Sequence, residues 1–86
     1  MNMKDWQVTV TDRLTRAIRA VGNLTIQVDV RPFGTSWQVN AAGSNILVMQ
    51  SGGAVAAMPI EAAVAHATSE ISAILGALAP IVAPVA

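Results

Sequence analysis

Few residues of this chain could do chemistry, and they fall into two groups. Glu61, His66 and Glu70 form the first. On a helix, His66 and Glu70 stand four residues apart and share a face, a spacing at which two side chains could ligate one metal ion or exchange a proton. A metal centre needs three or four ligands, however, and His66 is the sole histidine of a chain with no cysteine. The pair therefore reads as a solvent-facing interaction of about 0.2–0.5 kcal/mol, and no metal or other cofactor is expected.

Arg13, Arg16 and Arg19, with Lys4 ahead of them, form the second group. Positive charge gathered on a helix is what phosphate contacts use. Asp5 and Asp12 lie in the same stretch, with Asp12 four residues before Arg16, and no set of stacking aromatics accompanies them. A solvated or protein-facing basic surface is the simpler reading, with contact to nucleic acid as an alternative. Ser51-Gly52-Gly53 supplies neither a G-x-S-x-G nucleophile turn nor the lysine of a phosphate-binding loop. Catalysis by this chain is not expected.

These residues must be positioned by a small frame. Eighty-six residues suffice for one small domain. Such a domain buries only about 60% of its unfolded surface, and without cysteine it has no disulfide to help. Association, with itself or with a partner, is the remaining route to stability. Composition points the same way: 53% of the residues are hydrophobic and 12% charged, against about 25% charged in an ordinary soluble domain. Five basic residues balance five acidic ones, so the whole molecule exerts no strong pull on nucleic acid or an anionic membrane. Lys4, Asp5, Gln7 and Asp12 interrupt any apolar leader, so no signal peptide is expected.

The clearest element is Leu24 to Arg31, where Leu24, Ile26, Val28 and Val30 alternate with Thr25, Gln27, Asp29 and Arg31. That period of two is the mark of a strand with one apolar face. Full burial of the four apolar side chains would contribute roughly 6–12 kcal/mol. Ahead of it, Met3, Trp6, Val10, Leu14, Ala17, Ile18 and Val21 recur at spacings of three and four, which predicts a helix over 3–21 closed by Gly22-Asn23. The β-branched run Val8-Thr9-Val10-Thr11 argues against it and leaves open a short strand over 6–10, with Thr11 capping a helix from Asp12.

After the principal strand, Pro32-Phe33-Gly34-Thr35 and Ala42-Gly43-Ser44-Asn45 read as turns. They separate strands at 36–41 and 46–50, so the middle of the chain reads as a three-stranded antiparallel meander. The last of these strands is apolar on both faces and needs cover. Ser51-Gly52-Gly53 and the small residues after it lead to Pro59 and a second helix. Its stripe is Ile60, Val64, Ala67, Ile71, Ile74 or Leu75, and Leu78, and Pro80 is expected to end it. Trp6, Phe33 and Trp37 are the expected packing anchors.

The expected fold is thus α+β: an N-terminal helix, a three-stranded meander, a C-terminal helix and an extended apolar tail. The domain spans 1–79, and 80–86 form a C-terminal arm. No charge occurs from Ile71 to Ala86, but as a helix these sixteen residues span about 24 Å, short of a bilayer core of roughly 30 Å.

The functional expectation is a non-enzymatic structural subunit, acting on itself or on other structural proteins. Its setting is an assembled particle or the host cytoplasm, as in a capsid-stabilising or tail-assembly protein of a virus or phage. Ile46, Leu47, Val48, Met49, Leu78, Ile81, Val82 and Val85 are the expected interface residues. The alternatives are a membrane-associated protein anchored by its C-terminal segment, and a nucleic-acid-binding dimer using Arg13, Arg16 and Arg19.

Overall fold

A computed structural model of the chain describes residues 3–41, 46–53 and 55–82. The strand at Leu24–Arg31 forms with the expected bounds, and its neighbours on both sides are strands. The chain runs β1 (Gln7–Val10), β2 (Thr15–Val21), β3 (Leu24–Arg31), β4 (Gly34–Ala41), β5 (Leu47–Gln50) and α1 (Ile60–Val82). The five strands pair in sequence order, each antiparallel to the next.

This corrects the expected fold in two respects. There is no N-terminal helix among the described residues, and the meander has five strands instead of three. The segment 3–21 is a hairpin, β1–β2, with Thr11 to Leu14 as its turn; the Thr11 backbone N–H and hydroxyl both donate to the Leu14 carbonyl, at 2.8 and 3.1 Å. The β-branched run Val8-Thr9-Val10 sits in β1, where branched side chains fit a pleated surface better than a helical turn. Gly22-Asn23 does not stop a helix. It is the two-residue turn between β2 and β3, with Gly22 at φ 58° in the first central position, as a type II′ hairpin requires.

Register divides the sheet into two unlike faces. Ala17, Val28 and Trp37 stand side by side, as do Ile26 and Val39. This face carries α1, which presses Ala63, Val64, Ala67 and Ile71 against Trp6, Ala17, Val28, Trp37 and Val39 to make the core. Ala17, Ala63 and Ala67 let the helix approach closely. Of the four apolar residues of β3 only Val28 is fully buried, so their joint contribution falls below the figure for complete burial. The opposite face is polar. One row across it reads Gln7, Ile18, Gln27, Gln38 and Gln50, and the next reads Thr9, Arg16, Asp29 and Ser36.

Trp6 and Trp37 are packing anchors as expected, at 8% and 3% exposure, and Trp37, which from sequence could equally be core or interface, lies in the core. Phe33 is not: it stands in the two-residue turn between β3 and β4 and is 86% exposed. The helix also differs at its end, continuing through Pro80 to Val82, so Ile81 and Val82 are helical and not part of an extended tail. The remainder of that tail, 83–86, and the expected turn 42–45 lie outside the described residues.

Candidate functional site

Three places on this frame bear on function: the distal half of α1 with β5, the polar node beneath the helix, and one end of the sheet.

The stripe of α1 behaves in two ways. Val64, Ala67 and Ile71 are buried, yet every residue from Ser72 to Gly76 is exposed, including Ile74 at 37% and Leu75 at 46%. The helix has run past the sheet. Twenty-three helical residues measure about 34 Å, and the eleven from Ser72 to Val82 account for about 16 Å of it. The molecule is correspondingly long, 48 by 26 by 26 Å. Leu78, Ile81 and Val82, expected at an interface, lie on the backbone of this distal part; Val85 lies outside the described residues. The other expected interface residues sit at the sheet edge. Ile46, Leu47 and Val48 are exposed at 66%, 45% and 48%, whereas Met49 is half-buried and packs on the core. Val48 is the extra residue of a bulge opposite Val39 and Asn40, a device that tends to blunt an edge against further pairing.

His66 and Glu70 do meet, with His66 Nε2 2.5 Å from Glu70 Oε1, an ion pair when the imidazole is protonated. The same carboxylate oxygen accepts from Trp37 Nε1 at 3.4 Å. Glu70 thereby fastens the helix to β4 and satisfies the indole N–H of a buried tryptophan. Glu61 is exposed in the first turn, and among the described residues no three potential ligands come together. The arrangement suits structural pinning of the interface between α1 and the sheet.

The three arginines do not share a helix, because no helix forms there. Arg13 lies in the β1–β2 turn, while Arg16 and Arg19 occupy β2 on opposite faces. Arg19 Nη2 is 3.7 Å from Asp5 Oδ2. Arg16 spans to β3, its Nε donating to Asp29 Oδ1 at 2.8 Å and its Nη2 to Oδ2 at 3.3 Å. The hydrogen bonding that Arg16 donates to Asp29 raises the Arg16 pKa above its ordinary value; desolvation on burial opposes it, and the Asp29 charge adds a smaller rise. A raised basic pKa stabilises the fold fully below the ordinary arginine value and is lost only as pH climbs through the raised one. This contribution is therefore constant from acid to strongly alkaline conditions as far as Arg16 is concerned.

At the end of the sheet where the β1–β2 and β3–β4 turns emerge, Arg13, Leu14, Arg31, Pro32 and Phe33 line an open, largely apolar groove of about 530 Å³. Sequence reading missed Arg31, Phe33 and Leu14 as neighbours. In an antiparallel meander alternate turns project from the same end, so the signal existed once β1–β2 was read as a hairpin.

No family model matches the chain, and neither a curated protein nor a solved structure is significantly similar to it.

Proposed function

We propose that this chain is a non-enzymatic structural subunit that works by associating with copies of itself. One observation carries the reading: α1 continues for eleven residues past Ile71, apolar apart from Ser72 and without a charge, and Ile74 and Leu75 face water. A helix that is apolar on every side is ordinarily buried. Among the described residues nothing covers Ile74 and Leu75, and another molecule is the cover we infer. A second copy supplies an identical surface, the simplest complement in a symmetric pair. Exposed Ile46, Leu47 and Val48 add a second apolar strip. A membrane offers cover less well, since the free part of the helix spans about half of the roughly 30 Å hydrocarbon core; no helix among the described residues is long and apolar enough to cross a membrane. A virus or phage particle is one setting in which such a subunit would serve.

The test is native mass by light scattering after size exclusion, for the chain itself and for the double substitution Ile74→Glu, Leu75→Lys. Both positions are exposed in the single chain, so the substitution leaves the core intact. The reading predicts a multiple of 8.9 kDa that falls to 8.9 kDa in the variant. A natural chain that is monomeric at high concentration, or one that instead sediments with neutral liposomes, contradicts it.

A further inference from the structure

We propose that the groove between the β1–β2 and β3–β4 turns is a binding site for a small anion, phosphate or carboxylate, attached to an aromatic ring. The charge balance at this end of the sheet is the first reason. Asp29 is the carboxylate nearest Arg31, but its two oxygens already accept from Arg16 Nε and Nη2, and Oδ2 also accepts from Gln27 Nε2 at 3.0 Å. Arg31 is left at 3.7 Å from Oδ2 and is more than a third exposed. Arg13 has no carboxylate within ion-pairing distance among the described residues; Asp12 does not line the groove but lines an adjoining depression that shares Arg13, Leu14, Arg31 and Pro32 with it. Arg13, Arg16 and Arg31 against Asp12 and Asp29 leave one positive charge in surplus, set at the lip of a groove open to solvent.

The walls are the second reason. Leu14, Pro32 and Phe33 give the groove an apolar lining, and Phe33 at 86% exposure contributes nothing to the core. A flat ring seated there gains an aromatic face from Phe33 and the planes of two guanidinium groups, while its anion takes their N–H donors. The size suits a small molecule, being within the range of about 300–1,000 Å³ found for ligand pockets. A nucleic-acid strand fits worse. It needs a track of free cations, and the other arginines are held by Asp29 and Asp5 on different faces of the sheet.

Calorimetric titration of the full chain decides the matter, at whatever native mass it has. The probes are phenyl phosphate, benzoate, inorganic phosphate and an eight-residue oligothymidylate. We expect saturable binding of phenyl phosphate or benzoate, whichever anion the site prefers. It should be about tenfold or more tighter than for inorganic phosphate, and reduced about tenfold or more by either Arg13→Ala or Phe33→Ala. Both variants change exposed turn residues and should keep the circular dichroism of the natural chain. Absence of saturation with both aryl probes overturns the proposal. So does equal affinity for inorganic phosphate, tighter binding of the oligonucleotide, or indifference to the two substitutions.

Discussion

Asp29 shows how a polar face can be as specific as a core. It stands on the side of the sheet away from α1, yet only 7% of the residue is exposed, because Arg16, Gln27 and Arg31 close over it. Its carboxylate joins β2 to β3 by a two-pronged contact, which is the geometry that makes arginine–carboxylate pairs effective. Arg16 is about one-third exposed, and solvent screening reduces the worth of the pair. Asp29→Ala should accordingly lower stability by about 1–2 kcal/mol, read as a reduced urea midpoint with an unchanged slope. An unaltered midpoint would mean that the contact is incidental. The strand that carries Asp29 was plain in the sequence, since a period of two over eight residues admits one reading. Its partners were not. The register that sets Arg16 opposite Asp29 depends on β2 being a strand, and a stripe at spacings of three and four concealed that. The stripe is not one buried face: Trp6 and Ala17 are core residues, whereas Val10 and Val21 are exposed at 71% and 44%.

At the level of elements, the connection from β5 to α1 shows why a segment of small residues can be well fixed. Ser51 exchanges hydrogen bonds with the Trp37 backbone, and the Thr35 N–H and hydroxyl donate to the carbonyls of Val55 and Ala56, each at 2.9 Å. The connection thus runs on along the outer edge of β4, where β5 leaves off, and delivers Pro59 to the start of the helix. Gly34 makes this approach possible. A Cβ there would stand 2.9 Å from the Val55 carbonyl oxygen, a backbone atom that cannot turn aside. Gly34→Ala should therefore cost about 1–3 kcal/mol, with loss of amide-exchange protection at Thr35 as its local sign. Unchanged protection there would show that the connection is not held in this way. From sequence, Gly34 reads only as a turn residue. Its actual constraint comes from a segment twenty-one residues away, which no local pattern announces. The helix itself was legible from its stripe and from Pro59 and Glu61. Its passage beyond Pro80 was not, because an interior proline, which loses one hydrogen bond and crowds the carbonyl four residues earlier, ordinarily kinks or ends a helix.

For the whole molecule, the central fact is a mismatch of lengths. A sheet of short strands covers the first half of α1, and past Ile71, where the sequence carries no charge, the residues 72–76 are exposed among the described residues. Composition foretold the excess of apolar surface but could not place it. That depends on where the sheet ends beneath the helix. The most direct test exploits the absence of cysteine. Leu75→Cys introduces a single thiol on the distal helix, and Val10→Cys, also at an exposed site, introduces one on β1 as a control. Under mild oxidation at low protein concentration, association through α1 should give a rapid, near-complete disulfide-linked dimer from Leu75→Cys and only slow, diffusion-limited linkage from Val10→Cys. Equal and slow linkage of the two variants would show that the distal helices of two copies do not meet, and would contradict association through α1.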